Sequence, residues 1–461
     1  MRKRFGGIPL LCVVVALVFA GNLWGKDTRN PQLEDLLARP EGEIDLATAA
    51  LAIAEGVEED FEGVAFYTGR LEEMVSALKG RIGKKDPKEA VAAIGEYLFG
   101  ERGFQYEEGL EKGSFLSFVL REKKGNSLGI ATLYLALGES LGLPLFGVYV
   151  PEHVLVRYDD GKTAFLIEPG DRGKPYSEKY YRENFPIPEG NGFYLRNLGK
   201  KEVIGLILHE RGVFYAGRGR TDEAMSDYNR ALQLDPDLAE GYNSRGLLHW
   251  RSKRAEEALA DYGKAIALNP RMAKGYNNRA IVYYNLGRYD EALADYARAI
   301  ESSPGYAEAY YNRGNLYKAT KRYDEALADY NKAIELKAGF VEAYINRGLT
   351  YSLIKRYKEA IADYTRAIDL QLGFLDLAHY DRGLAYYFLE RYKEAIADYK
   401  KAIEYNPQYA DAYYALALAY DKVNKPKDAL KAYRKFVEYA PPGYEKMVEH
   451  AQKRIKALGG K

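Results

Sequence analysis

AYYNRGNLYKATKRYDEALADYNKAIELKA, residues 309–338, holds two helical patterns with a break between them. Tyr310, Gly314 and Tyr317 fall at helical spacing in the first half, and Ala326, Tyr330, Ala333 and Ile334 do so in the second. Small residues at Gly314 and Ala326 let the two helices approach closely. The stretch is one copy of a recurring unit. Its arginine returns at Arg211, Arg245, Arg279, Arg313, Arg347 and Arg382, in steps of 34 residues except the last, which is 35. One residue is therefore inserted near Gly373. Pro236, Pro270, Pro304, Pro407 and Pro441 stop the second helix in five units, because proline lacks the N–H and its ring clashes with the preceding turn. A fixed period of this length predicts an array of stacked helix pairs.

These residues resemble the tetratricopeptide repeat (TPR). The resemblance covers about residues 203–443, seven units, and is specific because the pattern recurs. It implies an all-α, right-handed solenoid of about seven helix pairs whose first helices line a concave groove. Residues 444–461, YEKMVEHAQKRIKALGGK, read as a capping helix that closes the open end.

Six units also carry an aspartate sixteen residues after the arginine, giving Arg211/Asp227, Arg245/Asp261, Arg279/Asp295, Arg313/Asp329, Arg347/Asp363 and Arg382/Asp398. In the seventh unit both are replaced, by Leu416 and Ala432. Loss of one partner alone would leave a buried charge, at roughly 3–5 kcal/mol. Joint loss is what a buried ion pair predicts, so the arginines read as structural; the alternative is a positive ladder for anionic ligands. The residue before each arginine is polar at Ser244, Asn278, Asn312, Asn346 and Asp381. In repeats of this kind that position often faces the groove, where Asn both donates to and accepts from a peptide backbone. A solvated helix face is the alternative. The flanking positions lack basic residues to clamp a terminal carboxylate, so the expected partner is an extended peptide or a protein surface.

Residues 1–25 differ from the rest. Arg2, Lys3 and Arg4 precede an apolar run from Ile8 to Ala20, too short for an ordinary transmembrane helix. This pattern predicts a secretory signal peptide, with Val18-Phe19-Ala20 as the cleavage region and an uncleaved inner-membrane anchor as the alternative. Export to the periplasm or beyond is the expectation, with membrane contact only through residues 1–25 if they are retained. The one cysteine, Cys12, lies in that run, preceded by Leu11 where a lipoprotein signal needs a small residue. A cleaved chain would hold no thiol. Formal net charge is +1, which argues against an electrostatic nucleic-acid surface. The 42 tyrosines suit a recurring half-buried packing site. His209, His249, His379 and His450 show no metal-ligand clustering, and Gly217-Arg218-Gly219 reads as a helix-to-helix turn rather than a phosphate loop. No metal or cofactor is expected.

Residues 27–200 lack the 34-residue period and form a separate α+β domain. DLATAALAIAEG, residues 45–56, predicts a helix with Asp45 as N-cap. Residues 61–80 and 87–100 read as two further helices. KKGNSLGIATLYLALGESLGLP, residues 123–144, reads as a helix that opens near Ser127 and closes at Gly142 and Pro144. FGVYVPEHVLVRYDDGKTAFLIEP, residues 146–169, reads as strands with a turn at Asp159-Asp160-Gly161. Alternation from Val150 to Tyr158 puts His153, Leu155 and Arg157 on one face, with Val154 and Val156 on the other.

This order, a helix opening at Ser127, a strand with His153 and a strand with Glu168, resembles the transglutaminase-like (papain-like) superfamily. That family opens its helix with Gly-x-Cys, places Ala four residues later and ends on Leu-Gly-Ile/Leu-Pro. Here the matching residues are Gly125, Ser127, Ala131 and Leu141-Gly142-Leu143-Pro144. The family's His falls on His153, and its Asp, commonly followed by Pro, falls on Glu168-Pro169. The core of the resemblance covers about 120–175. The segment from Leu46 and the lead-in FLSFVLREKKGN are similar to a bacterial branch of the superfamily often joined to TPR units. The departure lies at the nucleophile. A thiol at a helix N-terminus near an imidazolium is a thiolate at neutral pH. A serine hydroxyl is not ionised that way and needs a base acting during the attack. Three readings of Ser127 follow: an N-cap or buried polar residue in an inactive domain, a serine nucleophile with His153 as base and Glu168 as orienting group, or part of an unreactive binding pocket. The chain as a whole reads as an exported, mostly α, protein-binding scaffold. The enzyme alternative is an amide hydrolase or acyltransferase to which the repeats recruit substrate. A third reading is an envelope assembly scaffold in which the first domain only caps the solenoid.

Overall fold

The computed structural model describes residues 30–83, 85–185, 187, 194–371 and 373–459. The segment read as a signal peptide lies outside the described residues. A small α/β region precedes a long helical array, and the 22 α-helices among the described residues make the chain mostly α. The described residues form two compact units, one ending at Val282 and the other beginning at Tyr283.

The first unit opens with α1 (Pro31–Ala38), α2 (Leu46–Ala54), α3 (Val64–Ile82) and α4 (Pro87–Gly95), the last continued by a wider π turn over Glu96–Glu101. Asp45 caps α2, accepting the Thr48 N–H at 2.6 Å. Strand β1 (Gln105–Tyr106) pairs in parallel with β2 (Lys124–Gly125), on either side of α5 (Leu116–Glu122). Then come α6 (Ser127–Leu141), β3 (Leu145–Val150), β4 (His153–Asp159), β5 (Ala164–Glu168), β6 (Lys174–Tyr176) and α7 (Glu178–Asn184). The four strands form one antiparallel sheet in sequence order.

Helix α6 is apolar all round, and every residue from Ser127 to Gly138 is buried, as a central helix requires. Its start is locked in place by Gly129: a Cβ there would lie 1.9 Å from the Gly113 carbonyl oxygen. The alternation expected from Val150 to Tyr158 is interrupted. Pro151 has no N–H to donate and Glu152 is left-handed at φ 62, so a tight turn separates β3 from β4. His153 therefore opens a strand, directly opposite Val150. Val154, Leu155 and Val156 are all buried, so β4 is covered on both faces and polarity alternation carries little information there.

The first unit continues into α8 (Lys200–Gly217), α9 (Thr221–Leu234), α10 (Ala239–Arg251), α11 (Ala255–Leu268) and the greater part of α12 (Ala273–Asn285). One apolar core runs unbroken from Leu33 to Leu248, so the first repeats share a core with the α/β region. Polar contacts pin the same seam. Arg211 Nη1 donates to the Ile53 carbonyl at 2.9 Å, and Tyr215 OH to the Gly56 carbonyl at 2.9 Å. Ile53 lies in the last turn of α2, whose carbonyls have no intrahelical partner.

The second unit holds α13 (Tyr289–Ser302), α14 (Ala307–Ala319), α15 (Tyr323–Leu336), α16 (Val341–Leu353), α17 (Tyr357–Asp369), α18 (Leu375–Phe388), α19 (Tyr392–Tyr405), α20 (Ala410–Lys422), α21 (Pro426–Tyr439) and α22 (Glu445–Ala457). The extra residue in the sixth unit falls in the α17–α18 connection, where Gln371, Gly373 and Phe374 are all left-handed. The closing helix α22 is fastened by Arg454, which bonds Asp421 at 3.0 and 2.9 Å, and by His450 Nδ1 against Tyr414 OH at 3.0 Å.

One device recurs inside the helix pairs. Arg and, in five of the six pairs, a following Gly on the first helix are matched by Asp and a following Tyr on the second; Ala280 follows Arg279. The guanidinium forks onto the carboxylate at 2.8 and 2.7 Å in Arg211–Asp227 and Arg245–Asp261. The same fork closes Arg313–Asp329, Arg347–Asp363 and Arg382–Asp398. The sixth pair, Arg279 with Asp295, has one residue in each compact unit. Beside the fork, a Cβ at Gly212, Gly246, Gly314, Gly348 or Gly383 would come 2.6–3.0 Å from the ring of Tyr228, Tyr262, Tyr330, Tyr364 or Tyr399. Those rings are 0–2% exposed. In the seventh pair Leu416 and Ala432 stand at the Arg and Asp positions, both buried beside Tyr433 in an apolar cluster.

Asp329 is 6% exposed, so its charge depends on Arg313. Arg313→Ala is expected to destabilise the full chain by roughly 3–5 kcal/mol, and Arg313→Leu/Asp329→Ala by clearly less, in urea unfolding followed by helical circular dichroism. Equal losses would contradict a buried pair.

Candidate functional site

The three candidate residues sit on three elements, α6, β4 and β5. Ser127 is the first residue of α6, His153 the first of β4 and Glu168 the last of β5. Burial closes the site: Ser127 is 6% exposed, and the His153 and Glu168 side chains are 11% and 13% exposed. His153 Nε2 lies 3.0 Å from both Glu168 oxygens. Glu168 is itself held from two further directions, with Gly170 N–H donating to Oε1 at 2.8 Å and Tyr181 OH donating to Oε2 at 3.0 Å. Burial, with the adjacent Glu168 carboxylate, pushes the Tyr181 phenol up, so Tyr181 stays a proton donor. The imidazole also stacks on Phe185, with ring centres 5.4 Å apart and planes 19° apart. His153 is thus fixed through Nε2, leaving Nδ1 as the nitrogen for any reacting group.

Ser127 differs from the expectation in one respect. It is not the N-cap: Asn126 is, its side chain accepting the Gly129 N–H at 3.1 Å and donating to Ser114 Oγ at 2.7 Å. Asn126 is extended, as a cap residue must be, whereas Ser127 already lies within the helix. The Ser127 hydroxyl accepts a long bond from the Val154 N–H, 3.4 Å. Among the described residues no hydrogen bond joins Ser127 to His153. The arrangement holds a complete His–Glu pair and a serine at a helix start with no base bonded to it.

Sequence reasoning missed Tyr181, Phe185 and the Val154 N–H. Tyr181 and Phe185 stand four residues apart on and just after α7, the spacing of one helix face. That spacing gives no sign of which sheet residue they support.

Three of the polar positions before the arginines, Ser244, Asn278 and Asn346, are engaged by side chains of the neighbouring first helix, 35 residues away. Ser244 Oγ bonds His209 Nε2 at 2.9 Å, Asn278 donates to Asn243 Oδ1 at 3.1 Å, and Asn346 donates to Tyr311 OH at 2.9 Å. Asn346 also donates to the Glu342 carbonyl at 3.0 Å and accepts from Lys318. Asn312 is buried. Asp381 accepts no hydrogen bond and makes no ion pair among the described residues. No cluster of His, Cys, Asp or Glu among the described residues could hold a metal ion, and no described helix is long and apolar enough to cross a membrane.

Comparison with known proteins gives the same order of domains. Residues 65–185 match the transglutaminase-like superfamily. Tetratricopeptide repeats match over 214–253, 251–287, 271–338, 341–371, 383–423 and 410–442. The chain therefore carries a transglutaminase-like domain followed by a TPR array. A UPF0162 protein of Xylella fastidiosa is 27% identical over 167 residues, 34% of this chain and 59% of the relative. A UPF0162 protein of Pseudomonas aeruginosa is 24% identical over 138 residues, 29% of this chain and 50% of the relative. The chain thus spans between half and three-fifths of the length of these curated relatives. Among solved structures, YrrB, a TPR protein with an unusual peptide-binding site, is 26% identical and covers 42% of this chain and 97% of its own, with a TM-score of 0.37.

Ser127→Cys, in a Cys12→Ala background, tests whether the pocket still activates a thiol. The missing Ser127–His153 bond predicts iodoacetamide alkylation at the rate of an ordinary thiol at neutral pH. Rapid alkylation that Glu168→Gln slows would show an intact activating site.

Proposed function

We propose that the protein is an exported scaffold whose TPR face docks a protein or peptide partner, and whose transglutaminase-like domain positions that partner without catalysis. The observation that carries the reading is the serine at the nucleophile position, bonded to a backbone N–H rather than to the histidine. A resting thiolate–imidazolium site gains its nucleophile from charge, and serine forgoes that source. The shared core between the domain and the first repeats supports a positioning role, because a partner bound on those repeats lies against a rigidly joined domain. Export rests on the charge and hydropathy pattern of residues 1–25.

A second reading is favoured by the completeness of the His153–Glu168–Tyr181 arrangement: a serine hydrolase or acyltransferase acting on amide bonds. A fluorophosphonate probe separates the two. The scaffold reading predicts no labelling. Labelling of the wild type that Ser127→Ala and His153→Ala abolish would establish the enzyme. Docking predicts that immobilised full-length protein recovers a partner from envelope extracts and that Asn278, Asn312 and Asn346 substitutions lose it. Recovery unaffected by all three would remove the groove from the account.

A further inference from the structure

Asp381 stands apart from the other polar residues on the first helices. It lies on α18, and burial pushes its carboxyl up to about 7, with Lys318 pulling it down. Lys318, on α14, does not reach it within ion-pair distance; its ammonium is bonded to Asn346 instead. Two further carboxylates share this end of the face. Asp376 accepts from Asn406 at 3.3 Å and Asp411 from Tyr444 OH at 3.0 Å, both neutral donors. Tyr380 on α18 and Tyr409 at the start of α20 stand against each other, with ring centres 5.0 Å apart. Burial raises both phenols, and the charges of Asp381 and Asp411 raise them further. Tyr380, Tyr409 and the three aspartates are all half-buried, so each keeps an edge toward solvent.

Resting on the docking reading above, we propose that the face formed by α18 and α20 takes a lysine or arginine side chain of a partner segment, with Asp381 as its counter-ion and Tyr380 and Tyr409 against its stem and charge. A carboxylate set among apolar groups with no cation in contact is destabilised, and a partner's cation relieves that while gaining from the aromatic faces. The long apolar stems of Lys and Arg suit rings at the rim of a half-buried carboxylate. The carboxylates do not converge as metal ligands do, which favours an extended organic cation. Neither partner of this site belongs to the structural Arg–Asp forks, which are closed within their own helix pairs.

The test titrates fluorescein-labelled octalysine into the full-length protein by anisotropy at near-physiological salt, with Asp381→Asn and, as a control for lost charge, Glu404→Gln on the exposed face of α19. The proposal expects Asp381→Asn to weaken binding at least about tenfold, Glu404→Gln to leave it unchanged, and octaglutamate not to bind. It also expects Asp381→Asn to stay folded, because the carboxylate accepts no hydrogen bond and makes no ion pair among the described residues. Equal affinities for the two variants would overturn the proposal. Partner capture that depends on Asn278, Asn312 and Asn346 but not on Asp381 would reject this site alone. Octalysine binding that depends on Asp381, with capture indifferent to the asparagines, would instead reject the broader placement.

Discussion

The array depends on the contact between Arg-Gly on one helix and Asp-Tyr on the next. The buried aspartate would be untenable alone, and the forked guanidinium satisfies both of its oxygens. In five pairs the glycine beside the arginine removes the Cβ that would collide with the tyrosine ring, and in the third Ala280 takes its place beside Arg279. Charge and shape are therefore settled at adjacent positions. The seventh pair shows the other stable solution, with Leu416 and Ala432 apolar together. Buried ion pairs exchange with apolar pairs at little cost only when both members change.

The same arginine does a second task in the first pair. Arg211 closes its fork with Asp227 and also donates to a carbonyl in the last turn of α2. The α/β region is thereby bound to the repeats through a shared core and a backbone contact, so its site is held against the start of the array. Within that site, every support that orients His153 is present: Glu168, the Gly170 N–H, Tyr181 and the Phe185 ring. The residue at the helix start is a serine, bonded to the Val154 N–H rather than to His153.

The repeats were legible in the sequence because their periodicity is stated many times, and a noisy position in one unit is corrected by the others. The paired loss at Leu416 and Ala432 was informative for the same reason. The α/β region is stated once. Its helices and strands were readable from capping residues and turn signals such as Asp45 and Asp159-Asp160-Gly161. The order Ser127, His153, Glu168 was readable from the family pattern. Three details were not. The cap moved to Asn126 because both residues are cap-competent and only the backbone conformation decides. The break at Pro151-Glu152 was hidden by the apolar residues on either side of it. Short strand β6 and the supports Tyr181 and Phe185 depend on tertiary packing that no local pattern encodes. On the first helices, the asparagines read as peptide-facing also hold neighbouring helices together, a use that single-position reasoning does not reveal.

The central claim is that the first-helix face, rather than the outer helices, meets the partner. Photo-crosslinking in cells tests it most directly, with benzoylphenylalanine placed at Glu342, one turn before Asn346 on α16, or at Lys358, which is exposed on α17. The account predicts a discrete protein adduct from position 342 and none from 358. Adducts from 358 alone would contradict it.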